Sequence, residues 1–272
     1  MAQATGNIMS SGLPTILFTP GAWHQPWTFD LVRDNLANRS YPTAVVALAS
    51  VGSTDVNVGL DQDTEAVRAE LQRLVDAGRE VVLVAHSYGG IPVANAVEGL
   101  NYKDRVAQEK TGGVLMIVYM ASFAVPAEES LCDGARIQPW WNVTDLNAAD
   151  LCPLTQQDGF ISPRDPISTF YADVEPSLAA KAAAALCPQP FKTFQDKSGF
   201  EPWNAGFEMG YIFAEDDQAL PLDKQIDISS QFPASSFTAT LTASHSPFLS
   251  MPEALGKVIQ QAAQVAVARK AA

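Results

Sequence analysis

A serine in a turn of small residues is the first feature of this sequence that could do covalent chemistry. Ser87 stands in A-H-S-Y-G-G (85–90), directly after the apolar run E-V-V-L-V-A. A strand-to-helix turn that presents a serine hydroxyl above a sheet needs small residues two positions away, here Ala85 and Gly89. The helix that follows would aim its unpaired N–H groups at a developing oxyanion. The pattern predicts that Ser87 is an acyl-transfer nucleophile, with a plain surface turn as the alternative.

A serine hydroxyl needs a base, and the sequence has only three histidines. His86 adjoins Ser87 on the predicted strand and points to the opposite face, so we expect it to be packed. His24 lies in the loop after the first predicted strand, where it could contact substrate or pack. His245 follows the last predicted strand, and such a loop can bring an imidazole over the carboxyl edge of a sheet. We therefore predict that His245 is the base.

The base in turn needs an orienting carboxylate. Glu215, Asp216 and Asp217 follow the predicted strand 210–214 and precede His245, which gives the chain order nucleophile, acid, base. The residues alone leave the choice between Asp216 and Asp217 open, and the unused acids should lie in a solvated turn.

Two backbone N–H groups are predicted to stabilise the oxyanion. Gly21 permits a sharp turn after the first strand, and the next residue, Ala22, supplies one N–H. Tyr88, directly after the nucleophile, supplies the other.

Apolar runs that alternate with helical patterns predict an α/β fold, in which helices flank a mostly parallel central sheet. The predicted strands are 14–19, 43–48, 80–85, 113–120, 210–214 and 236–242, and the predicted helices are 27–38, 61–77, 91–100, 176–186 and 252–270. Asp63 or Thr64 is predicted to cap the second helix.

The regular alternation stops between residues 125 and 205, a stretch with many prolines and the adjacent Trp140 and Trp141. It is too long for a loop without secondary structure, so we predict an inserted helical lid. The predicted organisation is a hydrolase core formed by 1–124 and 206–272, with a lid at 125–205.

Composition excludes several classes of partner. The net charge is −13, with 17 Lys and Arg against 30 Asp and Glu. This excess of acid argues against binding to nucleic acid or to an anionic membrane. No apolar run reaches the length of a membrane helix, and residues 1–12 lack the pattern of a signal peptide. Self-association as a homodimer stays open.

The cysteines Cys132, Cys152 and Cys187 are sparse and odd in number, which is typical of a reducing compartment, so a cytoplasmic location is expected. They are either free thiols or include one disulfide. Their spacing does not resemble a zinc site.

Five motifs carry a resemblance that covers nearly the whole chain. They are G-A-W-H-Q-P-W (21–27), A-H-S-Y-G-G (85–90), V-Y-M-A-S-F-A-V-P (118–126), Y-I-F-A-E-D-D-Q-A-L-P (211–221) and S-H-S-P-F-L-S (244–250). In these the chain resembles the α/β-hydrolase superfamily, especially the small-esterase branch with plant hydroxynitrile lyases and plant methyl-ester hydrolases. The resemblance implies an α/β-hydrolase fold without metal or organic cofactor. It also implies that the acid precedes the histidine by 28 positions, which selects Asp217 (245 − 217 = 28).

The chain departs from the relatives it resembles at three positions. Pro20 stands where they usually carry a histidine. The similar hydroxynitrile lyases have a threonine in the oxyanion loop and a lysine after the catalytic histidine, where this chain has Gly21 and Ser246. Cyanohydrin cleavage is therefore not expected.

The predicted substrate is a small ester or lactone with a bulky apolar or aromatic group. Residues predicted to line its pocket, although each could instead be core, are Trp23, His24, Phe123, Trp140, Trp141 and Phe248. One alternative is a carbon–carbon bond hydrolase or a cyclase of secondary metabolism that uses the same triad. Others are a ligand receptor gated by the lid, with vestigial hydrolysis, and a binding module with a degenerate site.

Overall fold

The computed structural model describes residues 12–132 and 154–270, and its central feature is a six-stranded parallel sheet. In chain order the strands are β1 (Thr15–Thr19), β2 (Thr43–Val45), β3 (Glu80–His86), β4 (Gly113–Met120), β5 (Leu154–Gln157), β6 (Phe160–Pro163), β7 (Gln189–Pro190), β8 (Met209–Ala214) and β9 (Phe237–Leu241). The large sheet has the order β2-β1-β3-β4-β8-β9, and every neighbouring pair is parallel. The predicted α/β class is confirmed.

The middle of the sheet is built from strands that are apolar along their whole length. All residues of β1, β3 and β4 are buried, whereas the edge strand β9 alternates between exposed and partly buried positions. Continuous runs of Val, Ile and Leu favour a strand covered on both faces, because every side chain meets a helix layer on one side or the other.

Helices cover the sheet on both faces. They are α1 (Asp30–Ala37), α2 (Leu60–Asp76), α3 (Gly90–Ala96), α4 (Tyr102–Ala107), α5 (Pro166–Phe170), α6 (Pro176–Ala184), α7 (Lys192–Gln195), α8 (Leu222–Ser229), α9 (Pro247–Ser250) and α10 (Pro252–Lys270). Helix α1 packs against α10, and α2 packs against α3. The strand order reverses after β2, so right-handed crossovers put these two pairs on opposite faces.

The start of α2 differs from the prediction. The helix begins at Leu60, so the prediction that Asp63 or Thr64 caps it is wrong. The Gly59 N–H donates to Gln62 Oε1 at 2.8 Å, and the Leu60 N–H donates to Asp196 Oδ2 at 2.9 Å. These bonds satisfy the first donors of the helix. Asp63 is left free to bond elsewhere, and its side chain is fully buried.

We call the chain between β4 and β8, residues 121–208, the β4–β8 connection. Its described parts, 121–132 and 154–208, contain the antiparallel sheet β5-β6-β7 and the helices α5, α6 and α7. The predicted lid boundaries fall inside this connection and stay a prediction. Trp140, Trp141 and Cys152 lie outside the described residues. Cys187 is a free thiol. No described helix is both long and apolar enough to cross a membrane.

The buried centre of β4 gives a test of the core. Ile117 is fully buried, whereas Ile226 on α8 is 52% exposed. We expect Ile117→Ala to lower the free energy of unfolding by about 2–5 kcal/mol through the lost contacts and the cavity. The matched variant Ile226→Ala should change it by less than about 0.5 kcal/mol. Urea titration measures both, and equal effects would contradict this account of the core.

Candidate active site

The site lies where the strand order of the sheet reverses. The strands β1 and β3 are neighbours, but the chain leaves them toward opposite sides of the sheet. At such a switch point the loops after the two strands diverge and leave a crevice at their carboxyl ends. The loop after β1 contains Gly21 and Ala22, and the turn after β3 contains Ser87.

The turn at Ser87 is strained, and it lies where the small neighbours predict a nucleophile elbow. Ser87 has a φ of 52°, in the left-handed region that non-glycine residues rarely adopt. A Cβ on Gly89 would collide with the carbonyl oxygen of Pro20, and one on Gly90 would collide with that of Phe123. Glycine is therefore required at both positions for the elbow to fit between the loops after β1 and β4.

The structure joins His245 to Asp217 and to neither of the two other acids. His245 Nδ1–H donates to Asp217 Oδ2 at 2.7 Å, and both side chains are buried. Asp217 Oδ1 accepts the backbone N–H groups of Ala219 and Leu220 at 2.7 and 2.8 Å, which fixes the carboxylate and satisfies its charge. The two other acids of the turn, Glu215 and Asp216, are exposed to solvent.

His86 positions the backbone of His245. Its Nε2–H donates to the His245 carbonyl at 2.9 Å, and the two rings lie 4.6 Å apart. Burial holds the pKa of His86 well below its usual value, and the charge of His245 acts in the same direction. His86 is therefore a neutral, packed residue, as its place on the strand indicates. His86 directly precedes Ser87. Its hydrogen bond to His245 therefore brings the imidazole of His245 beside the elbow.

The loop after β1 packs closely on the elbow. A Cβ on Gly21 would lie 2.8 Å from Ser87 Cβ, so only glycine permits this approach. Within residues 12–132 and 154–270, the N–H groups of Ala22 and Tyr88 donate to no other group, and no hydrogen bond joins the Ser87 hydroxyl to His245. Catalytic hydrogen bonds often tighten only once substrate binds. Two free backbone donors thus flank the serine, on the residues predicted for an oxyanion hole.

His24 is locked by hydrogen bonds at both ring nitrogens. Its Nδ1–H donates to the Ala22 carbonyl at 2.6 Å, and its Nε2 accepts from the Tyr171 hydroxyl at 2.8 Å. Burial and, to a smaller extent, the charge of His245 together lower the pKa of His24 to about 4. The ring is therefore neutral and holds the loop in shape. Its predicted contact with substrate stays a prediction.

Aromatic rings form a continuous wall around the site. Tyr88 stacks on Phe194 at 5.7 Å, Phe194 on Trp23 at 5.8 Å, and Trp23 on Phe170 at 5.7 Å between ring centroids. Phe170 in turn lies 5.5 Å from the ring of His245. Sequence reasoning missed Phe170 and Phe194. Phe170 ends the five-residue helix α5, Phe194 lies within the four-residue helix α7, and helices this short show no periodic pattern.

The other predicted pocket residues take different places. Phe123 is buried, and its N–H donates to the Ser87 carbonyl at 3.1 Å. Phe248 packs on Phe29 and His86, with centroids 4.8 and 4.9 Å away. Their contact with substrate stays a prediction, and Trp140 and Trp141 lie outside the described residues. Nowhere in the described parts of the chain do three His, Cys, Asp or Glu side chains gather as a metal site would need.

The fold and the site together define the class of protein. The sequence profile of the alpha/beta hydrolase family matches residues 16–258. The chain therefore belongs to the alpha/beta hydrolase family, which confirms the resemblance in the five motifs.

Similar proteins include hydrolases from a fungus, a plant and a bacterium. The alpha/beta hydrolase nvfD of Aspergillus novofumigatus is 29% identical over 257 residues, which cover 93% of this chain and 98% of that protein. The methylesterase MES16 from Arabidopsis has a TM-score of 0.71 at 21% identity, covering 93% of this chain and all (100%) of that one. A pyrethroid hydrolase from Sphingobium faniae JZ-2 has a TM-score of 0.69 at 21% identity, covering 92% and 97%. The solved structures show the shared fold.

The pH dependence of the free energy of unfolding tests whether His24 is neutral in the folded protein. Its pKa is about 4 in the folded protein against 6.5 in the unfolded chain, so between these values only the unfolded chain takes up the proton. The free energy of unfolding should therefore fall as the pH is lowered from 6.5 to 4, by up to about 3 kcal/mol from His24.

Urea titrations across this pH range measure the effect. His24→Gln removes the titrating group and should make the pH dependence shallower. Tyr171→Phe, the matched control, removes a bond to the same ring but keeps the imidazole, and should keep most of the slope. An unchanged slope in His24→Gln would contradict the assignment.

Proposed function

We propose that this protein is a serine hydrolase that cleaves a carboxylic ester or lactone of a bulky apolar or aromatic small molecule. The main support is the buried hydrogen bond between His245 Nδ1 and Asp217 Oδ2, which lies beside the strained turn of Ser87. The free N–H groups of Ala22 and Tyr88 add the donors that a tetrahedral oxyanion needs.

The proposed reaction proceeds through an acyl-enzyme. Ser87 Oγ attacks the carbonyl carbon while His245 Nε2 takes the hydroxyl proton. Asp217 accepts the Nδ1–H, which fixes this tautomer and stabilises the imidazolium. The oxyanion accepts hydrogen bonds from Ala22 and Tyr88, each worth roughly 3–4 kcal/mol in the transition state. His245 then protonates the leaving alcohol, and the same groups activate water to release the acid.

The aromatic wall supports the proposed substrate class. Trp23, Phe170 and Phe194 are buried rings around the elbow, and such surfaces favour flat or bulky apolar groups. Fold similarity to a methylesterase and to a pyrethroid hydrolase is consistent with an ester substrate.

Labelling with a fluorophosphonate tests the nucleophile. The native protein should be labelled, because the reagent forms a covalent bond with an activated serine. Ser87→Ala should abolish labelling. Ser235→Ala, which changes an exposed serine far along the chain, should label like the native protein. If Ser87→Ala were labelled as well as the native protein, the assignment of Ser87 would be wrong.

Turnover tests the acid and the substrate class together. Substrates are p-nitrophenyl esters of graded acyl length and a panel of lactones. Asp217→Asn should lower kcat by about 10³–10⁴-fold, because the amide no longer holds the imidazole in the required tautomer. Asp216→Asn, its neighbour in the same turn, should stay within about twofold of the native rate, since its side chain is exposed.

The opposite ranking of the two variants would refute the role of Asp217. Product analysis in H₂¹⁸O separates hydrolysis from cyclisation. A hydrolase puts the label in the product acid, whereas a cyclase gives a product without it.

A further inference from the structure

A chain of buried hydrogen bonds links Trp23, the residue after Ala22, to Tyr88 through side chains that the proposed reaction does not use. The Trp23 N–H donates to Gln189 Oε1 at 2.9 Å, and Gln189 Nε2 donates to Ser50 Oγ at 2.9 Å. Ser50 Oγ–H donates to Asp63 Oδ2 at 2.6 Å, and the Tyr88 hydroxyl donates to the same oxygen at 2.8 Å. All five residues are buried.

The direction of these bonds requires an acceptor at Asp63. Its Oδ1 also accepts the Ser50 N–H at 2.8 Å, so the carboxyl group receives three hydrogen bonds. An ionised carboxylate accepts at both oxygens and suits this arrangement. Burial raises the pKa of Asp63, while the bonds from Ser50 and Tyr88 oppose that rise. Its place in the first turn of α2 also favours a negative charge.

Trp23 is held by the β4–β8 connection at every polar group. Besides the bond to Gln189, its indole Nε1–H donates to the Ile161 carbonyl at 2.7 Å, and its own carbonyl accepts the Cys187 N–H at 3.0 Å. Trp23 has a φ of 63°, in the left-handed region that is strained for a non-glycine residue. These three bonds stabilise that strained backbone directly after Ala22.

The chain of hydrogen bonds therefore ends beside both proposed oxyanion donors, at the Trp23 N–H and at the Tyr88 hydroxyl. Trp23 follows Ala22, and Tyr88 supplies the second N–H itself. Such donors stabilise a transition state only when they are aimed at the place where the oxyanion forms, and a displacement well below 1 Å weakens them. Asp63 and Ser50 lie in the core, but Gln189 lies on β7 of the connection.

We propose that Asp63 and Gln189 are positioning residues, which fix the Ala22 and Tyr88 N–H groups relative to each other through Trp23 and Ser50. This inference rests on the proposed function. It adds that the oxyanion hole is complete only while the β4–β8 connection is docked on the core.

The experiment measures kcat and KM for Asp63→Asn, Gln189→Met and Tyr88→Phe with a p-nitrophenyl ester. Each variant should lose about tenfold in kcat with KM within twofold, because the donors act mainly on the transition state. Asp63→Asn combined with Tyr88→Phe should also lose about tenfold, because both changes break the same bond. Independent effects would instead multiply to about 100-fold.

Glu80→Gln is the matched control. Glu80 is also a buried carboxylate, bonded to Lys270 at 2.5 Å, but it begins β3 at the opposite end of that strand from Ser87. It should leave kcat within twofold even where it lowers the thermal unfolding midpoint. Gln189→Met, which changes no charge, keeps the test available if Asp63→Asn does not fold.

The outcomes separate this inference from the proposed function. If the native protein neither turns over esters nor is labelled at Ser87, the proposed function fails and this inference fails with it. If the native protein is active, three results would overturn the positioning role alone. They are an unchanged kcat in Gln189→Met and Tyr88→Phe, a change confined to KM, and a multiplicative loss in the double variant.

Discussion

The close approach of three backbone segments at the elbow is the constraint on which the rest of the site depends. Ser87 adopts a left-handed conformation, and Gly21, Gly89 and Gly90 occupy positions where a Cβ would collide with neighbouring atoms. A backbone strained in this way persists only when its surroundings hold it. Here the buried strands β3 and β4 hold it, together with the Ser122 hydroxyl, which donates to the Ser87 carbonyl at 2.7 Å.

Electrostatic interactions give three neighbouring histidines different roles. The ring of His86 lies 5.9 Å from that of His24 and 4.6 Å from that of His245, so two charged imidazoles in this cluster would repel each other in a medium of low polarity. His24 and His86 stay neutral and bind backbone carbonyls, which shapes the loops. Among the described residues, only His245 has a carboxylate partner. In the proposed reaction, the positive charge that arises during proton transfer therefore has one stable location.

Features set by adjacent residues could be predicted from the sequence, whereas contacts between residues far apart in the chain could not. The strands follow from runs of adjacent residues, and the structure confirms the α/β class that they predict. The turn at Ser87 was found from a motif of adjacent residues, and Ser87 adopts a left-handed conformation directly after β3. The residues alone left Asp216 and Asp217 open, because the choice is made by a turn whose N–H groups bind the Asp217 carboxylate. Asp63 was misread as a helix cap, and Gln189 was missed. Gln189 bonds Ser50, which lies 139 positions away in the chain, and no local sequence pattern indicates such a contact.

The attachment of Trp23 also bears on how such an enzyme can change. Its N–H, carbonyl and indole groups are all bonded to the segment that supplies the aromatic rings Phe170 and Phe194. A mutation that reshapes this segment to admit a new compound therefore also moves the loop next to Ser87. In directed evolution, substrate selectivity and turnover rate would then change together. Variants chosen for a new substrate would need compensating mutations near Trp23 to recover their rate.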